Sequence, residues 1–355
     1  MSAPVNNQAT GYAVKDPKKY LDFEVTKYEL EPLEDDRVTV AVECCGVCGS
    51  DHHTISGGWG PWETKFVVTG HEVVGKVVEV GKNVKQFKVG QRVGVGAQVG
   101  SCGKCKWCTH DNENYCPEPV HGYNTKWPDG HDHQGGYSTH IRAQELFVFP
   151  IPEGIPSVEA ASMLCGGLTS FSPLVRHGVG PGSKVGVVGL GGLGHYAVLF
   201  AVALGAEVTV FSRTDAKKED ALKMGAKRFV ATGEPGFEKD LQREFDVIVC
   251  TASSSKLPID ALLTTLDVNK SFVFVGMPEE GIKNITSQAM AGNGCSLGSS
   301  HIGCRTEALQ MLDLAAKKQV KPWINVIPMK QAADAIKAVE DGTVRYRTIL
   351  TQDLV

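Results

Sequence analysis

The sequence predicts an α/β protein of two domains, in which a β-rich domain is followed by a doubly wound parallel sheet. The chain has 355 residues, enough for two domains of roughly 150 residues each, and 42% of them are apolar, enough to fill two cores. Short runs that alternate between apolar and polar residues fill the first part of the chain. From about Pro156 onward, short apolar runs alternate instead with segments of helical spacing, and this change of period separates the domains.

Four alternating runs predict the strands of the first domain. They are Arg37–Val42, Glu72–Val80, Gln91–Val95 and Phe147–Pro150. Glycine and asparagine punctuate them, as in the segment Gly81–Asn83. Short strands divided by turn residues are typical of an antiparallel, barrel-like unit.

The second part begins with a helix for which Ser157 is the expected N-cap, because a serine hydroxyl can accept a bond from a first-turn amide. Strands and helices then alternate, which is typical of a parallel sheet with helices on both faces. Strands are expected at Lys184–Gly189, Glu207–Phe211, Arg228–Ala231, Asp246–Cys250 and Ser271–Val275, and helices at His195–Leu204, Lys217–Met224, Pro258–Leu266 and Thr306–Lys318. A mixed tail follows the last helix.

Charge and hydropathy exclude several classes of partner. With 36 Lys and Arg against 40 Asp and Glu, the net charge is -4 and no long basic run is present, so we expect neither nucleic acid nor an anionic membrane as a partner. The polar start, Met1–Thr10, lacks a secretory signal, and the cytosol is therefore the expected compartment. Val185–Ala206 is long and uncharged enough for a membrane span, but its six glycines favour a buried strand, turn and helix.

A glycine-rich motif predicts a dinucleotide site. Gly189-Leu190-Gly191-Gly192-Leu193-Gly194 fits the pattern G-x-G-x-x-G, follows an apolar strand and opens an apolar helix. In that context the glycines permit a tight turn, and the free amides at the helix N-terminus face a pyrophosphate. The alternative is a glycine-rich turn in an ordinary doubly wound sheet.

The end of the next strand indicates which dinucleotide binds. An NAD enzyme normally carries an acidic residue there for the ribose hydroxyls. This chain has Ser212 and Arg213, with Lys217 close behind, and a hydroxyl with two cations suits the 2'-phosphate of NADP. The alternative is that Arg213 and Lys217 are ordinary surface charges.

Eleven cysteines are grouped rather than spread as disulfide pairs, and the largest group predicts a metal site. Four of them lie within fifteen residues, at Cys102, Cys105, Cys108 and Cys116. Four thiolates can enclose one zinc ion with no open position, so the site would support folding and take no part in catalysis. An iron–sulfur cluster or unligated cysteines are the alternatives.

A second, dispersed set of residues suggests a catalytic metal. Cys48, His71 with its neighbour Glu72, and Cys165 offer two thiolates, an imidazole and a carboxylate at three remote places. A catalytic zinc needs about three protein ligands and an open position for a substrate oxygen. The residues alone also allow the alternative that these are ordinary buried side chains of a β-rich domain.

Nine ordered motifs resemble the zinc-containing medium-chain alcohol dehydrogenases, and within them the NADP-dependent cinnamyl alcohol dehydrogenase group. They cover nearly the whole chain. The motifs are Cys48–Asp51, Gly70–Gly75, Gly90–Gly96, the four-cysteine loop, Gln134–Tyr137, Cys165–Thr169, Gly189–Gly194, Gly276–Pro278 and Val344–Arg347. The resemblance implies a GroES-like catalytic domain over residues 1–163 and 303–355 and a Rossmann NADP-binding domain over 164–302.

The resemblance also implies roles for the dispersed residues. Cys48, His71 and Cys165 would hold the catalytic zinc, with Glu72 able to approach it. Ser50 would bond the substrate oxygen and begin a proton relay through the cofactor ribose to His53. The neighbouring His52 leaves a second imidazole as the alternative relay, and the spacing after Cys48 favours His53.

Further roles follow from the same resemblance. Asp51 would orient His71. Thr169 would contact the nicotinamide and Arg347 the pyrophosphate. Other cofactor-binding candidates are Thr251, Gly276, Met277 and Ser300. Candidates for the substrate pocket wall, with plain packing as the alternative, are Trp59, Trp62, His121, Met277 and His301.

The implied reaction interconverts primary alcohols and aldehydes with NADP(H), with aryl, cinnamyl or medium-chain aliphatic substrates and aldehyde reduction as the direction in the cell. Two zinc ions per subunit and a homodimer are expected. One alternative is an NADPH-dependent carbon–carbon double-bond reductase of the same fold. The other is a non-catalytic protein that binds zinc and a dinucleotide.

Overall fold

A computed structural model describes residues 7–254, 256–279, 281–282 and 285–354. Most of the predicted polar start, Met1–Thr10, and the last residue, Val355, therefore lie outside the described residues. By its contacts the chain divides into two compact units. The first holds the described residues up to Cys165, with Cys304–Gln319 and the residues from Trp323 onward. The second holds Gly166–Gly303 and Val320–Pro322, so the predicted boundary lies two residues before the division seen here.

The strands and helices are numbered in chain order. The strands are β1 Gln8–Ala13, β2 Glu24–Glu29, β3 Arg37–Val47, β4 Val73–Val80, β5 Arg92–Val95, β6 Gln98–Gly100, β7 Val120–His121, β8 Thr125–Lys126, β9 Asp132–His133, β10 His140–Gln144, β11 Val148–Pro150, β12 Lys184–Val188, β13 Glu207–Ser212, β14 Arg228–Ala231, β15 Phe245–Cys250, β16 Leu266–Phe274, β17 Ser296–Ser299, β18 Ile324–Pro328 and β19 Arg347–Thr351. The helices are α1 Gly49–Ile55, α2 Ser157–Ala161, α3 Gly166–Arg176, α4 Gly192–Ala203, α5 Lys218–Lys223, α6 Ile259–Thr264, α7 Ser287–Ala291, α8 Arg305–Lys318 and α9 Ala332–Glu340.

The first unit is built on a seven-stranded sheet. Its order is β11-β5-β4-β3-β19-β18, and β10 also pairs with β3. The pairs are antiparallel except β18 with β19, which the returning end of the chain adds in parallel. A core rich in valine fills the unit. The prediction of an antiparallel β-rich domain is confirmed, with this parallel pair as an addition.

The second unit is a six-stranded, wholly parallel sheet of order β14-β13-β12-β15-β16-β17. Counted within the unit this is the order 3-2-1-4-5-6, which reverses beside β12, the strand that leads into the glycine-rich motif. Dinucleotides bind at such a reversal because the loops on either side diverge there. The predicted doubly wound parallel sheet is confirmed.

Several local predictions differ from the structure: α6 ends at Thr264 rather than Leu266, and β16 begins at Leu266 rather than Ser271. Ser157 lies inside the first turn of α2, and Pro156 takes the N-cap position without a side-chain cap. The Ser157 hydroxyl instead lies 3.4 Å from Arg92 Nη1, so tertiary contacts outweigh its local capping preference. Strand β3 continues five residues past its predicted end at Val42, because the small residues after Glu43 are buried and still pair with β4 and β19.

The apolar segment Val185–Ala206 is divided between β12, the glycine turn and α4. Among the described residues no single helix is both long and apolar enough to cross a membrane. Two consecutive helical segments, residues 157–164 and 166–176, are long and apolar enough only when they are counted together, and the chain bends by 59° between them.

A buried charged group stabilises the first unit. Glu31 and His133 are only 2% and 1% exposed, and Glu31 Oε1 accepts hydrogen bonds from Trp127 Nε1 at 3.0 Å and from His133 Nδ1 at 2.9 Å. Burial alone would raise the pKa of the Glu31 carboxyl, but His133, a backbone hydrogen bond and Arg37 together outweigh it, and the pKa is lowered from its ordinary value of 4.5. The folded state therefore favours the ionised carboxylate.

This lowered pKa predicts a pH-dependent stability. Because the folded pKa lies below that of the unfolded chain, the carboxylate stabilises the fold above about pH 4.5 and the contribution is lost as the pH falls. We expect Glu31→Gln to lower the free energy of unfolding by about 2 kcal/mol at pH 7, and by less at pH 3.5. Urea titrations at both pH values measure this, with the exposed Glu34→Gln as control. An equal loss at both pH values would contradict the assignment.

Candidate active site

Four side chains from three remote parts of the chain meet in the first unit. Cys48 follows β3 at the start of α1, His71 and Glu72 precede β4, and Cys165 follows a short 3-10 helix. All four are buried, and one ligand atom from each lies within 4.8 Å of the others. Pairing of β3 with β4 places the ends of these strands side by side. The structure therefore brings together the four residues proposed for the catalytic metal.

Asp51 links the first two of these elements. Its Oδ2 accepts a hydrogen bond from the Cys48 amide at 2.9 Å, which closes a capping box at the start of α1. Its Oδ1 accepts from the Gly70 amide at 3.0 Å and lies 3.3 Å from Nδ1 of His71. The Tyr137 hydroxyl donates to Oδ2 at 3.1 Å. Asp51 thus contacts His71 from the side away from the cluster, as its predicted orienting role requires.

The chemistry of the donor set fits zinc. Nδ1 of His71 faces Asp51, whereas its Nε2 is buried and makes no hydrogen bond to the described residues. Such an orphaned buried nitrogen is explained if it is a metal ligand. Two cysteines and a histidine are ligands typical of a catalytic zinc.

The two thiols of the cluster are in direct contact. A hydrogen bond from Cys165 lowers the pKa of Cys48 well below its ordinary value, and the same bond, with burial, raises the pKa of Cys165. Of the two sulfurs, Cys48 is therefore the one whose thiolate, the form that binds metals, is favoured.

Glu72 is paired with an arginine that comes from the far end of the chain. Arg347 Nη2 lies 2.5 Å from both carboxylate oxygens, and both residues are buried. Burial raises the pKa of Glu72 to about 7, against the opposing effect of Arg347. The sequence proposed Arg347 as a pyrophosphate ligand and did not foresee this pair, since 275 residues separate the partners. The pyrophosphate contact remains a prediction.

The proposed relay residues lie on α1. Ser50 Oγ is 3.6 Å from Cys48 Sγ, and His53 is three residues further along the helix, on the same face. Trp59 stacks on the His53 ring at 5.0 Å and is 43% exposed. His52 faces other neighbours, with its Nε2 3.9 Å from Glu340 and its ring 5.5 Å from Tyr20.

The four-cysteine loop also fits zinc. Cys105 Sγ lies 3.5 Å from Cys108 and 4.0 Å from Cys116, and Cys116 lies 3.6 Å from Cys102. A tetrahedron with Zn–S bonds of about 2.3 Å has edges of about 3.8 Å between sulfurs. Backbone amides of Lys104 and Cys105 lower the pKa of Cys102 to about 7. All four sulfurs lie within 4.8 Å of one another, so the set is closed.

The same loop contacts the start of α8. The buried Glu113 carboxylate accepts a short hydrogen bond from the Arg305 amide, and Asp111 Oδ1 accepts from the Thr306 hydroxyl at 3.1 Å. Arg305 Nη1 in turn donates to the Val148 carbonyl at 2.6 Å. The loop therefore anchors the segment in which the chain re-enters the first unit.

In the second unit the glycine motif forms the predicted turn. β12 ends at Val188, and α4 begins at Gly192 with no side-chain cap, so its first amides are not occupied by a capping side chain. A Cβ on Gly194 would lie 2.1 Å from the Gly189 carbonyl oxygen, so only glycine permits this close packing. The Thr251 hydroxyl donates to the carbonyls of Val188 and Gly189 at 3.0 and 3.1 Å and braces the turn. This arrangement suits a pyrophosphate.

The other proposed cofactor residues take different positions in this unit. Ser212 ends β13, Arg213 is exposed directly after it, and Lys217 Nζ donates to the Leu190 carbonyl at 2.7 Å. Ser300 Oγ is buried without a hydrogen bond to the described residues, another polar atom that a bound ligand would explain. The last three are Thr169, buried in α3, Gly276, close to Ala252, and Met277, which is exposed.

Two buried tyrosines beside the cluster were not foreseen as site residues. Tyr137 belongs to a motif that carried the resemblance but had no assigned role, and Tyr123 places its ring 5.4 Å from that of His71. Neither position has a sequence signal for this role, because a tyrosine next to glycine is also an ordinary core residue.

Comparisons with known proteins agree with this geometry. The chain matches the family model of the alcohol dehydrogenase GroES-like domain over residues 34–153 and that of the zinc-binding dehydrogenase over residues 192–317. It is 42% identical over 345 residues to NADP-dependent alcohol dehydrogenase 6 of Saccharomyces cerevisiae, and the match covers 96% of this chain and 95% of that protein.

Solved structures give the same result. A cinnamyl alcohol dehydrogenase from Sorghum bicolor superposes with a TM-score of 0.92 at 35% identity, covering 97% of each chain. A protein named CAD from Helicobacter pylori, complexed with NADP(H), superposes with a TM-score of 0.88 at 33% identity over 97% of this chain and 98% of that one.

Proposed function

Because this chain belongs to the alcohol dehydrogenase family with GroES-like and zinc-binding dehydrogenase domains, we propose that it interconverts primary alcohols and aldehydes with NADP(H). The resemblance inferred from the sequence motifs is confirmed by these comparisons. The observation that carries the proposal is the buried cluster of Cys48, His71, Glu72 and Cys165. Reduction of aryl, cinnamyl or medium-chain aliphatic aldehydes is the proposed direction in the cell.

The residues of the first unit have distinct tasks in this reaction. Cys48, His71 and Cys165 would hold a zinc ion, which when bound supplies Lewis-acid polarisation of the carbonyl oxygen. The Ser50 hydroxyl donates a proton to that oxygen as hydride from NADPH reaches the carbonyl carbon. His53, one turn further along α1, holds the proton that restores Ser50. Aldehyde, NADPH and one proton thus become alcohol and NADP⁺.

Preference for NADPH is assigned to the end of β13. Ser212, Arg213 and Lys217 provide a hydroxyl and two cations close to the glycine turn, and a doubly charged phosphate ester is the ligand that such a set binds best. An additional carboxylate at these positions would repel it. The same proposal includes the remaining cofactor-binding residues, which are Thr169, Thr251, Gly276, Met277, Ser300 and Arg347.

Arg213→Ala tests this assignment. We expect the KM for NADPH to rise roughly tenfold, since one charge-assisted contact is lost, while kcat changes little. The KM for NADH, which has no 2'-phosphate, should stay the same. Steady-state rates with both cofactors measure the difference, and Lys223→Ala on the exposed face of α5 is the matched control. A parallel rise for NADH, or no rise for NADPH, would refute the assignment.

The function itself is tested with purified protein and a panel of aldehydes. NADPH absorbance is followed with cinnamaldehyde, benzaldehyde and hexanal, NADH is run in parallel, and the products are identified by mass. We expect NADPH to be consumed with formation of the alcohols. A saturated aldehyde from cinnamaldehyde would favour the double-bond reductase, and no turnover with any aldehyde would favour the non-catalytic alternative.

Three further properties belong to the proposal. Two zinc ions per chain are expected, one in each cysteine-containing cluster, and metal analysis of the purified protein counts them.

A homodimer is supported by the exposed strand β17, which is the last strand of the parallel sheet among the described residues and offers an edge to a second copy. Light scattering measures the mass. The cytosol is the proposed compartment, since cysteines clustered for metal ligation rather than paired as disulfides suit a reducing environment.

A further inference from the structure

Tyr137 contacts the carboxylate that supports the metal cluster. Asp51 is fully buried and receives two backbone hydrogen bonds, from Cys48 and Gly70, on different oxygens. Tyr137 adds a side-chain donor to Oδ2, and His71 Nδ1 faces Oδ1. The tyrosine is therefore separated from a metal-binding nitrogen by a single carboxylate, although it is 86 residues away from Asp51 in the sequence.

The position of the Tyr137 ring is closely determined. Its amide donates to the Thr69 carbonyl at 2.8 Å and its carbonyl accepts from Tyr12 at 2.8 Å. Gly70 has a φ of 97°, and a Cβ on it would lie 2.5 Å from the tyrosine ring. The residue before His71 is thus a glycine both because of its backbone conformation and because the ring fills the adjacent space. The hydroxyl has little freedom to point elsewhere.

The chemical consequence concerns the rotation of the carboxylate. A buried hydroxyl without a partner is costly, so a tyrosine here is explained by the bond it makes. With Oδ2 held by Tyr137 and the Cys48 amide, Oδ1 is directed at Nδ1 of His71. The proton of His71 then stays on Nδ1, and the lone pair of Nε2 faces the two cysteines.

We propose that Tyr137 is a positioning residue of the zinc cluster, whose hydroxyl holds Asp51 in the orientation that aligns His71. The inference rests on the proposed function only in taking this cluster as a zinc site. Substitution by phenylalanine removes the donor and keeps the ring that packs against Gly70.

The experiment compares Tyr137→Phe with the parent as full-length, zinc-loaded protein. Zinc transfer to the chelator 4-(2-pyridylazo)resorcinol is followed in time, together with kcat, KM and thermal unfolding. We expect one of the two zinc ions to transfer about tenfold faster, with the other unchanged. We also expect a lower kcat with little change in KM and a nearly unchanged Tm. The matched control is Tyr12→Phe, which loses a hydroxyl bonded to a carboxylate, Asp353, outside the cluster.

A double mutant tests the route of the effect. If Tyr137 acts through Asp51, Tyr137→Phe should change zinc transfer no further in an Asp51→Asn background. Unchanged zinc transfer in Tyr137→Phe would overturn the proposal, and so would faster loss of both zinc ions with a lower Tm, which indicates a role in the fold alone. A parent protein that binds zinc only in the four-cysteine loop would instead contradict the proposed function.

Discussion

Replacing Cys165 by alanine is expected to remove one zinc ion per chain and to lower kcat/KM for aldehyde reduction by about a thousandfold or more. The residue supplies one of two sulfurs in the buried cluster, and its hydrogen bond to Cys48 lowers the pKa of that neighbour. Without it only Cys48 and His71 of the three proposed ligands remain, so we expect the zinc ion and its Lewis-acid contribution of several kcal/mol to the reaction to be lost.

The control for this variant is Cys295→Ala. Cys295 is about as buried as Cys165, at 8% against 7% exposed, but belongs to the second unit and to neither metal cluster. Metal analysis and initial rates measured on both variants separate loss of a ligand from loss of a buried thiol. Turnover by Cys165→Ala at the parent rate would show that the cluster takes no part in the chemistry.

Loss of the other cluster should instead destabilise the fold. We expect Cys105→Ser to reduce the zinc content by one ion per chain and to lower the Tm by about 10 °C, because a structural zinc contributes directly to folding. The loop bounded by these cysteines also carries Glu113, which accepts the Arg305 amide at the start of α8. Loss of order in the loop would therefore also remove a contact that holds the start of α8 in the same unit.

Thermal unfolding with and without a zinc chelator measures this effect. In the parent, the chelator should lower the Tm towards that of Cys105→Ser, and it should change the variant little. Trp107→Ala is the control, since this exposed side chain lies in the same loop and offers no sulfur. A variant with the parent's Tm and one zinc ion fewer would show that the loop does not need its metal.

Predictions from the sequence succeeded where the pattern is local. The turn Gly189–Gly194 needs only a strand before it and a helix after it, and both are present. Because they lie within fifteen residues, a single loop is enough to bring together Cys102, Cys105, Cys108 and Cys116. The parallel sheet followed from the alternation of strands and helices alone.

The dispersed cluster could not be derived from spacing in the same way. Cys48 and His71 approach each other because β3 pairs with β4, and Cys165 joins them because the chain later returns to the same place. The local sequence predicts neither the strand pairing nor the return. Only the resemblance to a family connected these residues beforehand. The ion pair of Glu72 with Arg347 and the hydrogen bond of Tyr137 to Asp51 had no such help, since both join residues far apart in the sequence.

The most direct test of the proposed activity is to follow the hydride. NADPH carrying deuterium at both positions of C4 is incubated with cinnamaldehyde, and the product is analysed by deuterium NMR. A metal cluster that polarises a carbonyl predicts cinnamyl alcohol with one deuterium on C1, the former carbonyl carbon. Deuterium on C3 of a saturated aldehyde would contradict that account, because the hydride would then have been delivered to the carbon–carbon double bond.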